Sequence, residues 1–245
     1  MRSSARLMRM RSVLAAMDYE PVLLGPNLVT PRVVESLQTQ YGSDDPEYNG
    51  YGYVARPILT RARKGDIIIA TEQWHCDYVF RGVLEAGDGR WNGIPVIELW
   101  IDYKNPMCRF RVFASEYHRM RTCIWQEREE WTEDWIVGYP AYPPAESVEE
   151  SEIFDAEKRQ KHDLHHLEAM RQGIPVLAPN WGIWRETVEH GVTGVLYQSA
   201  VGKPAAEDFA YKLPSATVSK YTCERFSVEE AVAAIKPFFH RASNG

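Results

Sequence analysis

The sequence predicts an α/β fold built on Rossmann-like parallel sheets, and three observations carry that expectation. Asp66–Ala70 (DIIIA) and Ile94–Ile101 (IPVIELWI) are continuous runs rich in β-branched residues, the pattern of strands buried on both faces. Stretches with helical spacing separate such runs, a β-α-β rhythm that argues for a parallel sheet covered by helices on both sides. The size also suits the class: 245 residues are enough for one large domain or two small ones, and 44% apolar with 25% charged is ordinary for a globular chain.

The elements follow in order. The start of the chain, with Arg2, Arg6, Arg9 and Arg11, has the Arg- and Ser-rich, acid-poor composition of a transit peptide. It runs straight into a strand pattern without a cleavage-like linker, so it reads as a helix whose end is Ser12–Met17. A short strand, Glu20–Gly25, is closed by Gly-Pro, and Pro31–Tyr41 has Val33, Val34 and Leu37 on one helical face. Gly42–Gly52 is a polar loop. Ile58–Lys64 reads as a short helix, Asp66–Ala70 as a strand, Cys76–Ala86 as a helix and Gly87–Gly93 as a turn-rich loop. Strands are expected at Ile94–Ile101, Phe110–Ala114 and Ile136–Gly138, with a helix over Glu116–Glu130. Pro140–Glu157, proline-rich and then acidic, is the expected linker, which divides the chain into residues 1–144 and 145–245. Beyond it come a helix (Asp163–Gln172), a strand (Pro175–Ala178), a short helix (Trp184–His190) and a short strand (Val195–Tyr197). Val201–Ser219 reads as irregular and Val228–Phe239 as the closing helix.

Composition excludes some classes of function. No run approaches the roughly 18 apolar residues of a membrane span. A net charge of −6 gives no broad basic footprint for nucleic acid, although basic residues cluster at Arg2–Arg11 and Arg56–Lys64. The four cysteines, Cys76, Cys108, Cys123 and Cys223, form no C-x-x-C pair and neither a zinc motif nor a disulfide framework. Reduced thiols and a cytoplasmic location are the expectation.

The stretch Leu167–Tyr197 carries the densest pattern. It reads as a helix, a glycine stop at Gly173, a strand, a turn at Pro179–Gly182, a short helix and a Gly-x-x-Gly turn into another strand. Loops at the carboxyl edge of a parallel sheet are where open α/β sheets bind ligands. Glu168, on the helix before the strand, suits paired hydrogen bonds from the hydroxyls of a ribose. Glu186 reads as opening the next helix, where the helix dipole favours an acid. His162, His165 and His166 lack H-E-x-x-H spacing and read as solvent-facing.

This stretch resembles the C-terminal domain of the family 4 glycosyltransferases of the GT-B fold. Glu168-Ala169-Met170, Gly173, Pro175-Val176-Leu177-Ala178, Gly182, Glu186 and Gly191-Val192-Thr193-Gly194-Val195-Leu196 carry the resemblance, and Glu224-Arg225-Phe226-Ser227 resembles that family's closing segment. The resemblance implies a shortened GT-B architecture in which residues 1–144 bind the acceptor and residues 145–245 a nucleotide-diphosphate sugar. It further implies transfer with retention, the diphosphate as leaving group and no obligatory metal. Donor-binding residues are then Glu168, Gly182, Arg185, Glu186 and Asp163, the last also a candidate helix cap. Asp102 and His75 are the catalytic candidates, with Glu72 and Trp74 beside His75 on the acceptor side, just after a buried strand.

The chain departs from the family pattern in four places. The family's first strand and its Gly-rich loop have no counterpart, so an oligomer completing the sheet is one expected partner. Gln160 stands where the first acid of E-x7-E belongs, and Ile101 where a histidine belongs. Only Pro140–Gln160 joins the two parts, leaving Lys158, Arg159, Lys161 and Arg185 as the cations for a diphosphate. The alternatives to a glycosyltransferase are a non-catalytic carbohydrate- or partner-binding derivative of the fold, and a transferase acting on modified nucleic acid. Eight tryptophans and thirteen tyrosines supply stacking surface for the former.

Overall fold

The computed structural model describes residues 2–20, 63–70, 89–91, 93–101, 106, 108–128, 132–142, 153–157 and 164–244. Contacts divide the chain into two units, one of residues 1–19, 115–120 and 138–234, the other of residues 20–114, 121–137 and 235–245. Each holds a parallel sheet flanked by helices, the α/β class expected. The expected elements at Glu20–Gly25, Pro31–Tyr41, Gly42–Gly52 and Cys76–Ala86 lie outside the described residues.

The unit of residues 20–114, 121–137 and 235–245 is built on β1 (Ile68–Ala70), β2 (Arg90–Trp91), β3 (Ile94–Ile101), β4 (Phe110–Phe113) and β5 (Trp135–Val137). The order is β1-β3-β4-β5, all parallel, and β2 folds back antiparallel onto the start of β3. Every residue of β3 is buried, as its unbroken apolar run predicts. Its one acid, Glu98, is buried too, and it accepts the Cys108 N–H at 2.7 Å with the Arg111 guanidinium 3.9 Å away. Arg111 lies over the Trp135 ring and donates to Gln126 at 3.0 Å, so the buried charge is both paired and hydrogen-bonded. Near its end β3 is irregular: Leu99 and Ile101 pair with the consecutive residues Val112 and Phe113, and the bulged Trp100 between them has φ +56°.

The other unit opens on α1 (Arg2–Ala16), longer than the expected helix end, which buries Met10, Val13 and Leu14. It stops where Asp18 takes a left-handed φ of +68°. The sheet is β6 (Phe154–Asp155), β7 (Val176–Pro179) and β8 (Gly194–Tyr197), in that order and parallel. Around it lie α3 (His165–Arg171), α4 (Gly182–Thr187), α5 (Lys203–Ala210) and α6 (Ser215–Arg225). Gly173, at φ +86°, ends the α3 turn as its place before Pro175 predicts. Gly194 is required by close approach, because a Cβ there would sit 2.2 Å from the Val176 carbonyl oxygen of β7. α2 (Glu116–Trp125) and α7 (Val228–Asn244) each have residues in both units.

Four expectations are corrected. The stretch read as a linker contains β6, which pairs with β7 and buries Phe154 and Ala156. Val201–Ser219, read as irregular, forms α5 and the first five residues of α6. Their buried faces consist of Ala206 and Ala210, and of Val218 and Thr222, a set with a single large apolar residue, too few to mark a helical stripe. The helix over Glu116–Glu130 ends at Trp125, where Glu127 takes φ +50° and the Arg128 N–H returns to the Cys123 carbonyl. The closing helix continues through Pro237 to Asn244. Among the described residues no helix is long and apolar enough to cross a membrane.

Candidate functional site

The loops at the carboxyl edge of the β6-β7-β8 sheet hold the residues on which a ligand site is best argued. β7 is the central strand and fully buried, and it delivers Asn180, Trp181 and Gly182 to that edge. The Asn180 N–H donates to the Tyr197 carbonyl at 2.9 Å, tying the loop to the end of β8. Gly182 turns the chain into α4 with φ +61°, and a Cβ there would touch the Tyr117 ring at 3.4 Å. Trp181 stands 49% exposed, edge-on to the buried Trp184 at 5.0 Å between ring centroids. An aromatic face held by a second ring beside a glycine turn is a stacking platform for a flat ring.

The two acids of the motif are engaged by protein groups. Glu168 lies on α3 and its carboxylate pairs with Arg9 of α1 at 3.3 Å and with Arg171 one turn on. Glu186 does not open α4, as the sequence suggested; it is the next-to-last residue of that helix. An acid there meets the negative end of its own helix dipole. Its carboxylate crosses to α2, accepting the backbone N–H of Glu116 at 2.8 Å and of Tyr117 at 2.6 Å, together with the Tyr139 hydroxyl at 3.0 Å. Ser115 Oγ accepts the next N–H, that of His118, at 3.3 Å. The first three N–H groups of α2, which no intrahelical carbonyl can serve, are thereby satisfied. Burial raises the Glu186 carboxyl above the ordinary glutamate range, against the pull of the hydrogen bonds from Tyr117, Tyr139 and Glu116. Burial and the Glu186 charge raise the Tyr139 hydroxyl in turn.

Arg185 is exposed on α4. Asp163 lies outside the described residues, and the N-cap of α3 is Leu164, with no side-chain cap bond. Asp102, His75, Glu72 and Trp74 also lie outside them, as do Gln160, Lys158, Arg159, Lys161 and His162. Of the histidines read as solvent-facing, His165 is exposed, but His166 is buried and shares a hydrogen bond with Thr187 Oγ1 at 2.5 Å. Its position beside Leu167 on the inward face of α3 explains the difference.

Sequence reasoning missed one group of side chains at the same edge. Lys203, the first residue of α5, places Nζ 3.0 Å from Asp155 Oδ2 and 2.8 Å from Glu157 Oε2. Tyr197 closes β8 beside them, its ring centroid 5.6 Å from Nζ. The hydrogen bond from Lys203 holds the Glu157 carboxyl below its ordinary range, with Tyr197 acting in the same direction. The bond to Glu157 and the nearby Asp155 hold Lys203 above its own range. The available signal was faint: an alternating Asp-Ala-Glu at residues 155–157 and a lysine directly before Pro204. Among the described residues no group of three His, Cys, Asp or Glu side chains is placed to hold a metal ion. No family model matches the chain, and no curated protein matches it.

Proposed function

We propose that this protein is a glycosyltransferase that takes a nucleotide-diphosphate sugar as donor and passes the sugar to an acceptor with retention of configuration. The observation that carries the reading is the Asn180–Gly182 loop. It leaves the central strand of a parallel sheet at its carboxyl end, turns through a glycine of positive φ and exposes Trp181. It also falls within the stretch that resembles the donor half of a GT-B enzyme. In this reading Trp181 stacks on a ring of the donor, Arg185 faces the diphosphate as charge develops on it, and Asp102 and His75 serve the reacting centre. Isothermal calorimetry with UDP, GDP and ADP tests it on the wild type and on Trp181→Ala. Binding of one nucleotide that weakens at least tenfold in the variant is expected, and no binding of any nucleotide by the wild type overturns the reading.

A second reading, a non-catalytic carbohydrate- or partner-binding derivative of the fold, has its own support. The carboxylates of Glu168 and Glu186, the acids first expected to meet the donor, are engaged by Arg9, Arg171 and the start of α2. Turnover of a sugar nucleotide rejects this second reading.

A further inference from the structure

We propose that Asp155, Glu157, Tyr197 and Lys203 form a binding site for the vicinal hydroxyls of a sugar at the carboxyl edge of the β6-β7-β8 sheet. The proposal rests on the donor reading above and moves diol recognition from Glu168 to this cluster. Asp155 ends β6 and Tyr197 ends β8, so the two flank the exit of β7 at the edge where the Asn180–Gly182 loop begins. Lys203 Nζ sits between the two carboxylates, at 3.0 Å from Asp155 Oδ2 and 2.8 Å from Glu157 Oε2. The Glu157 side chain is 52% exposed and forms the rim, while Asp155 is buried and forms the floor.

A second observation points to a ligand. Tyr197 is 6% exposed, and its buried hydroxyl has no partner that meets the distance and angle of a hydrogen bond. Lys203 Nζ lies 5.6 Å from the centroid of that ring, and Glu157, Asp155 and Lys203 all act on the hydroxyl electrostatically. Glu157 lies close enough to help keep its proton on. A buried donor left in that state gains when a ligand oxygen arrives.

The chemistry of the cluster selects the ligand. Two carboxylates repel a phosphate, and the Lys203 ammonium already occupies the position a cation would take between them. A vicinal diol brings two donors and two acceptors. Its hydroxyl protons go to Asp155 and Glu157, and its oxygens accept from Lys203 and Tyr197. The loops leaving β7 and β8 add exposed apolar side chains, Trp181 and Val201, suited to the face of a ring.

Calorimetry on the full chain tests this with UDP, UDP-glucose, GDP-glucose, ADP-glucose and glucose alone. The variants are Tyr197→Phe, Glu157→Gln and Glu168→Gln, with thermal melting of each to confirm folding. Tyr197→Phe removes only the hydroxyl, so it is expected to keep the melting temperature and to weaken binding about tenfold, as is Glu157→Gln. Glu168→Gln is the comparison: a loss there with none in Tyr197→Phe and Glu157→Gln returns the diol to Glu168 and overturns the site. Loss on UDP as well as on the nucleotide sugar identifies the ribose as the diol; loss on the nucleotide sugar alone identifies the transferred sugar. Unchanged affinity in Tyr197→Phe and Glu157→Gln overturns the site and leaves the donor reading standing. Binding of glucose alone that these variants weaken, with no nucleotide bound, keeps the site and overturns the donor reading. No binding of any probe by the wild type overturns both.

Discussion

Glu186 caps α2 through Tyr117: its Oε1 accepts the Tyr117 backbone N–H at 2.6 Å, and its Oε2 takes the N–H of Glu116 at 2.8 Å. A helix capped by an acid from another element is stabilised by satisfied donors and by the charge at the positive end of its dipole. Glu186→Ala is expected to destabilise the fold by about 1–2 kcal/mol, and to speed amide exchange at Glu116 and Tyr117. Arg185→Ala, on the exposed neighbour, is the control, with a change within about 0.5 kcal/mol. Urea unfolding and hydrogen exchange measure both. Equal effects of the two substitutions would remove the cap from the account.

The same carboxyl predicts a pH dependence. Its value is raised, chiefly by burial. The folded chain therefore holds the Glu186 proton more tightly than the unfolded chain. The stability this contributes is complete below the ordinary glutamate value of about 4.3 and is lost as pH rises through the higher folded value. The unfolding free energy of wild type relative to Glu186→Gln is thus expected to be largest near pH 4, about the ordinary value, and to decline toward neutrality. Urea titrations at a series of pH values check the sign, and a relative stability that grows with pH contradicts it.

Glu168 is about a third exposed and pairs with Arg9 and Arg171. Solvent screens such a pair, so a double-mutant cycle of Arg9→Ala and Glu168→Ala is expected to give a coupling below about 1 kcal/mol. The coupling should shrink further in high salt. A coupling of several kcal/mol would mean that α1 depends on this pair for its position.

Gly194 lies where β8 approaches β7 most closely. Gly194→Ala puts a Cβ 2.2 Å from the Val176 carbonyl oxygen, a backbone atom that cannot swing aside. Overpacking against backbone is expected to cost about 3 kcal/mol or more, at the top of the usual range. Thermal melting of the variant against wild type measures it, and a cost below 1 kcal/mol, under the usual overpacking range, would show that β8 can move away.

Elements with strong local patterns were legible in the sequence. The apolar run of β3, and the helix–glycine–strand–turn succession from α3 to β8, follow from side-chain period and from glycines at Gly173, Gly182 and Gly194. Elements without such patterns were not. β6 pairs through two residues inside an acidic stretch, and α5 buries two alanines. The same division runs through the candidate site. The Asn180–Gly182 loop is marked locally by its glycine, whereas Glu186 finds its partners 69 and 70 residues back along the chain, and Lys203 reaches Asp155 across 48. A carboxylate serving the end of a distant helix has the same local signature as one waiting for a ligand, and only the folded chain separates them.

The bulge at Trp100 acts on β3 as one extra letter acts on a text read two letters at a time. Side chains alternate across a strand, so an added residue inverts the assignment of everything after it. Leu99 and Ile101, two apart in sequence, face the consecutive partners Val112 and Phe113 because Trp100 has been taken out of the count. Deleting residue 100 would close the ladder and leave Leu99 and Ile101 opposite the same two partners, so the strand needs the extra residue for the bend and not for the pairing. Ile101 therefore faces the side of the sheet it does because of the tryptophan bulged out before it.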